Sequence, residues 1–245
     1  MKKYLLTIST VTASMLGLSA ACYAEEPKTL TMDGEFGFIL TTGNTDTTSA
    51  SAGFNAKQEL DSWSNEFLIE GLYKKDEINN VERTSAQKFF GSAQANYKLE
   101  NPDHRLFAFS SIEDDRFGNF KYQATIAGGW SQKVWEDDKS SFNYSIGPGY
   151  TFAETQAGEN QDGVVLRGAI NYAWTISETS RFTQTFSTEI GGDNTKSRAE
   201  SALSAQIAGD LSMKLSLKFD HNSDVAGEAE NLDTEMAVTL VYSFF

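Results

Sequence analysis

Leu211-Ser212-Met213-Lys214-Leu215-Ser216-Leu217-Lys218-Phe219-Asp220 alternates apolar and polar residues without a break. A strand turns successive side chains to opposite faces, so this segment has one greasy and one wet face. A helix would scatter the same residues around its circumference. The pattern recurs. Phe142, Tyr144, Ile146, Pro148, Tyr150 and Phe152 alternate with Asn143, Ser145, Gly147, Gly149 and Thr151. Phe182, Gln184, Phe186, Thr188 and Ile190 oppose Thr183, Thr185, Ser187 and Glu189. Tyr122, Ala124, Ile126, Gly128 and Trp130 oppose Gln123, Thr125, Ala127, Gly129 and Ser131. Trp63, Phe67, Ile69 and Tyr73 oppose Ser64, Glu66, Glu70 and Lys74, with Asn65 and Leu68 blurring the pattern.

About twelve such segments are predicted: 31–42, 47–60, 63–75, 84–99, 104–115, 121–135, 141–153, 163–175, 181–190, 196–208, 211–220 and 232–245. Several reach the roughly 9–11 residues with which a tilted strand crosses a bilayer. Short connections (61–62, 100–103, 136–140, 176–180, 209–210) alternate with others at 43–46, 76–83, 116–120, 154–162, 191–195 and 221–231, several of them longer and polar. Short turns at one rim and long loops at the other characterise an all-β, antiparallel, up-and-down transmembrane β-barrel, with both termini on the periplasmic, short-turn side. The competing fold is a soluble lipocalin-like barrel, which shows the same alternation with its apolar face turned inward.

The chain starts Met1-Lys2-Lys3 and continues with an apolar run to Leu18, then Ser19-Ala20-Ala21-Cys22-Tyr23-Ala24 before Glu25-Glu26. Basic start, apolar middle and small-residue exit make residues 1–24 a secretory signal peptide, cut after Ala24. Cys22 invites a lipoprotein reading, but Ser19 stands where a lipobox needs Leu. The mature domain, 25–245, then has no cysteine, hence neither disulfides nor a thiolate. Losing Lys2 and Lys3 takes 20 basic residues to 18 against 34 acidic, a net −16. That sign excludes nucleic acid as a natural partner. It suits solvated loops facing outer-membrane lipids and lipopolysaccharide through divalent ions. The final strand, Val238–Phe245, ends on an aromatic residue, as does the signal read by the barrel-assembly machinery.

Leu40-Thr41-Thr42-Gly43-Asn44-Thr45-Asp46-Thr47-Thr48 resembles the opening motif of the YdiY-like salt-induced outer-membrane proteins, domain-of-unknown-function family 481. Asp115-Arg116-Phe117, Gly147-Pro148-Gly149-Tyr150 and Leu240-Val241-Tyr242-Ser243-Phe244 are similar to later motifs of that family. The resemblance implies a barrel in the cell outer membrane and a link to salt stress; it implies no substrate and no site residues. Physically, Gly43-Asn44 suits a hairpin, the glycines of 147–149 suit a bend or close packing, and Asp115 with Arg116 ties down a loop.

Two functional readings follow. The first is a stress-related pore or structural envelope barrel with an acidic, weakly cation-favouring interior. Lys57, Glu59, Glu66, Glu70, Lys74, Glu189, Lys214 and Lys218 lie on wet faces and line a lumen that is either open or filled. The alternative is a lipid A deacylase-like hydrolase, in which His221 activates Ser223 and Glu228, Glu230, Asp233 or Glu235 orients the histidine. The only mature histidines are His104 and His221, which argues against a zinc or haem site. No cofactor, metal ligand or firm catalytic residue is assigned.

Overall fold

The computed structural model describes residues 29–41, 46–78, 81–225 and 230–244. Twelve strands follow in order: β1 (Thr29–Thr41), β2 (Asp46–Glu59), β3 (Trp63–Ile78), β4 (Val81–Lys98), β5 (His104–Asp115), β6 (Phe120–Glu136), β7 (Ser140–Thr155), β8 (Gly163–Ser177), β9 (Ser180–Gly191), β10 (Thr195–Ala208), β11 (Leu211–Asn222) and β12 (Leu232–Ser243). Each pairs antiparallel with its chain neighbours, and β1 closes on β12. The barrel is therefore up-and-down, and the twelve segments read from alternation each correspond to one strand.

The face that meets the surroundings separates the two candidate barrels. Phe36, Phe67, Ile69, Ile126, Leu215 and Val238 are exposed on the outside. Ser64, Asn96, Arg105, Glu113, Arg167 and Ser216 are buried inside. A soluble barrel buries the opposite set. An apolar belt around a polar interior is stable only where the belt meets lipid. Aromatic rings gather toward the short-turn rim: Trp63 against Tyr97, Trp135 against Phe142, and Tyr242 against Phe244, with centroids 4.9–5.1 Å apart. Such amphipathic rings prefer the headgroup level.

Three local expectations change. Residues 76–83 read as a loop, yet β3 and β4 continue to Ile78 and from Val81, leaving only 79–80 between them. Above the membrane a ladder no longer needs alternation, so its polar residues concealed a strand. The long-loop rim is correspondingly less uniform than expected: only the connections 156–162 and 223–231 are long. On β3, Leu68 shares the inward register with Glu66 and Glu70 and lines the lumen. Asn65 faces outward, and its Nδ2 donates to Gln58 Oε1 at 3.2 Å, which satisfies it beside the membrane. The Gly43-Asn44 hairpin, the signal segment, Phe245 and Glu228 lie outside the described residues.

The Gly147-Pro148-Gly149 segment has a packing reason. A Cβ on Gly147 would sit 2.2 Å from the Gly128 carbonyl oxygen and 2.7 Å from Gly129 Cα. A Cβ on Gly129 would in turn sit 2.4 Å from the Ile146 oxygen. The β6–β7 ladder here is too close for any side chain on its inner face, so glycine is required by contact. At Gly71 nothing lies within 4 Å of such an atom. Gly147→Ala should therefore lower stability by about 1–3 kcal/mol, whereas Gly71→Ala should change it by no more than about 0.5 kcal/mol. Urea unfolding in detergent micelles, followed by the shift between folded and boiled gel mobility, measures both; equal effects would contradict the packing account.

Candidate functional site

The inward positions of β4, β5, β10 and β11 meet across the lumen. In a ring of twelve strands, β4 and β10 stand six apart, directly opposite each other. Arg198 on β10 spans that gap. Its Nη2 donates to Glu113 Oε2 on β5 at 2.7 Å, and its Nε donates to Asp220 Oδ1 on β11 at 2.7 Å. Its guanidinium carbon lies 3.9 Å from the Phe90 ring centroid on β4. Lys88 on β4 donates to Asp220 Oδ2 at 2.7 Å and lies 3.8 Å from Glu113 Oε1. Lys196 stands 3.3 Å from Glu113 Oε2. Lys218 on β11 bonds Glu70 on β3. Lys214 sits between Glu35 at 2.8 Å and Glu200 at 2.9 Å. These chords form an ionic bridge through the lumen. An isolated charge here would carry a desolvation penalty of several kcal/mol, so each is stable only because opposite charges surround it.

Below the bridge, Arg167 on β8 lies over the Phe109 ring on β5, 3.6 Å from its centroid. Its Nη1 donates to Ser145 Oγ at 3.5 Å, and its Nε stands 3.8 Å from Glu189 Oε1. Glu189 Oε2 accepts from Thr125 at 2.8 Å.

The free space is graded. A cavity of about 750 Å³ opens at the short-turn rim. It shares Thr31 and Lys57 with one of about 310 Å³. That cavity shares Glu66 and Gln94 with a third of about 250 Å³, between Arg167 and Arg198. At the ionic bridge and above it only about 50 and 30 Å³ are found. The lumen is thus roomy and polar from the short-turn side and constricted toward the long loops.

Most of the expected wet-face residues sit as read: Lys57, Glu59, Glu66, Glu70, Glu189, Lys214 and Lys218 line the interior cavities or the bridge. Lys74 lies toward the long-loop rim, 3.6 Å from Asp76. The lining carries both signs in close balance, because the chain draws its bases inward, where they pair. Asp115 and Arg116 do not pair with each other. Asp115 Oδ1 accepts from the Phe117 and Gly118 amides at 3.0 Å, and Arg116 Nη1 donates to Gln87 Oε1 at 3.4 Å, so each holds the loop separately. Arg198, Glu113, Lys88, Arg167, Phe90 and Phe109 were not singled out from sequence. Their inward register was readable from alternation, but which strands face each other was not.

The geometry does not assemble the hydrolase pair. His221 follows the inward Asp220 and takes the outward register, opposite Leu232. Ser223 Oγ accepts from the Thr195 amide at 2.7 Å and donates to Asn194 Oδ1 at 3.3 Å. Asp233 and Glu235 take the inward register of β12, on the other side of the wall from His221. Glu230 is exposed.

A family model described as "Protein of unknown function, DUF481" matches residues 34–244. The chain is 26% identical over 212 residues to the uncharacterized protein YdiY of Escherichia coli strain K12, covering 84% of this chain and 80% of that one. Its fold is similar to that of the COG4313 outer membrane channel from Pseudomonas putida F1, with a TM-score of 0.51, 9% identity, and coverage of 88% and 95% of the two chains. It is also similar to the NanC porin, with a TM-score of 0.50, 9% identity, and coverage of 86% and 98%. At such identities the likeness is one of fold.

Removing one partner from a buried ion network is costly because the others are left uncompensated. Glu113 faces Lys88, Lys196 and Arg198 together. Glu113→Gln should therefore destabilise the barrel by on the order of 3–5 kcal/mol, read as a lower urea midpoint in micelles. A midpoint equal to that of the unaltered protein would show that the bridge does not hold the barrel together.

Proposed function

We propose, for a chain that belongs to the DUF481 family of proteins of unknown function, that the barrel is a narrow outer-membrane channel for small hydrophilic solutes. The observation that carries this reading is the run of cavities inside the closed wall, each sharing lining residues with the next. A barrel kept only as a structural plug would fill that space with side chains, as small barrels do. On this reading the wider end faces the periplasm, since short turns lie on that side in barrels of this kind. The ionic bridge is the constriction and sets both the size limit and the low conductance.

The mixed signs of the lining favour weak ion selectivity, because neither sign dominates the field along the path. The acid surplus of the whole chain then belongs mainly to the rims and loops, where water solvates it. The lipase alternative gains nothing from the geometry, since Ser223 is engaged by Asn194 and Thr195 and not by His221.

Planar-bilayer recording of refolded protein tests the channel. The unaltered barrel should give small, reproducible steps, and Arg198→Ala, which removes the central chord, should raise unit conductance by about twofold or more. Correctly folded protein without conductance above background, in both forms, would contradict the reading.

A further inference from the structure

We propose that the long-loop mouth of the barrel is a gate latched by Gln161 and Asp224, which opens while the ionic bridge beneath it stays intact. The inference goes beyond the channel reading and rests on it.

The lumen is crossed a second time above the ionic bridge, and this crossing is neutral. Gln123 on β6 and Asn222 on β11 stand five strands apart in the ring. Gln123 Nε2 reaches across to Asn222 Oδ1 at 3.5 Å, and Asn194 Nδ2 donates to the same oxygen at 3.0 Å. Beyond them, Gln161 Nε2 donates to Asp224 Oδ2 at 2.7 Å. That bond ties the β7–β8 connection to the β11–β12 connection, past the β9–β10 turn. The space of about 30 Å³ against Gln161, Gln123 and Asn194 holds no more than about two water molecules. With the latch made, this side of the mouth is shut.

The two crossings differ in how readily they part. Arg198, Lys88, Glu113 and Asp220 are ions that balance one another, and separating one strands the rest. Asp224 is exposed, so water replaces its partner when the latch breaks. Gln161 gains by opening. Its Oε1 is buried without a hydrogen-bond partner while the latch is closed, and an unmet buried carbonyl is costly. The gap between closed and open states is therefore small, as a gate requires. The loop that carries Gln161 is built to move as a unit. Backbone bonds of 2.9 Å join Thr155 to Glu159, Gly158 to Thr155 and Gln161 to Ala153, and Gly158 at φ 84° makes the reversal. Gln156 anchors its root, donating from Nε2 to the Asp115 carbonyl at 3.1 Å. Among the described residues, Gln161 to Asp224 is its one hydrogen bond to the β11–β12 side.

Single-channel recording in planar bilayers tests the gate. Gln161→Ala should raise the ratio of open to closed time by at least about threefold and leave unit conductance unchanged. Gln206→Ala at the short-turn rim should change neither. Gln161→Cys with Asp224→Cys gives a switchable form, since residues 25–245 contain no native cysteine. A short linker joined to both thiols through disulfides should hold that protein shut, and reductant should restore its conductance. Linked and reduced forms share one fold, so a folding defect cannot imitate the result. Linked protein that conducts as freely as reduced protein would overturn the gate, as would Gln161→Ala with an unchanged ratio of open to closed time. The reduced form separates the two readings: a barrel that conducts whether linked or not loses only the gate, and one that stays silent in every form loses the channel and the gate with it.

Discussion

In hydrocarbon no water is available to hydrogen-bond a free backbone amide or carbonyl, and every other feature of this barrel follows from that constraint. A sheet can meet it only by closing. Closure rests on the seam between β1 and β12, where Asp33, Gly34, Glu35 and Phe36 pair with Ser243, Tyr242, Val241 and Leu240. The Phe244 amide extends the seam to the Met32 carbonyl at 2.8 Å. Side chains pin it on both faces. Ser243 donates to Asp33 at 2.6 Å, and the Phe244 ring lies so near Gly34 that a Cβ there would stand 3.2 Å from it. The aromatic end of the last strand thus works within the wall as well as along it.

Closure then dictates the interior. With the apolar half of each strand committed to lipid, the polar half has nowhere to go but inward. A twelve-strand ring is narrow enough for long side chains to reach across. Arginine and lysine reach furthest, which is why the basic residues of an acidic chain concentrate where they can meet carboxylates on opposite strands. Replacing such a network by well-packed apolar residues is often neutral or stabilising in a soluble protein. On the proposed channel reading the lumen stays wet, which closes that route, so the charges would serve both cohesion and passage.

The fold was legible because membrane strands carry their instruction locally. Leu211 to Phe219 states the outer face of β11 with no help from the rest of the chain. Where water surrounds a strand on both sides the instruction fades, and Asp76 to Arg83 therefore read as a loop. Phe89-Phe90 shows a different limit. One ring meets lipid and the next meets Arg198, and nothing in the pair itself says which is which until the register of the whole strand is known. The site was harder still. Glu113 and Arg198 lie on strands five places apart in the ring, and their meeting depends on barrel circumference and shear, which no local pattern encodes. His221-Asn222-Ser223 failed as a catalytic pattern for a simple reason: the strand ends between the two residues, so spacing within a strand no longer places both on one face.

The central claim is that the apolar register meets lipid and the polar register faces an enclosed aqueous interior. A nitroxide scan along β11, one cysteine at a time from Leu211 to Asp220 in reconstituted bilayers, measures it directly. Collision with oxygen, which concentrates in lipid, should peak at Leu211, Met213, Leu215, Leu217 and Phe219, and collision with a water-soluble nickel chelate should be low at all five. The opposite phase, or no period of two, would contradict the account.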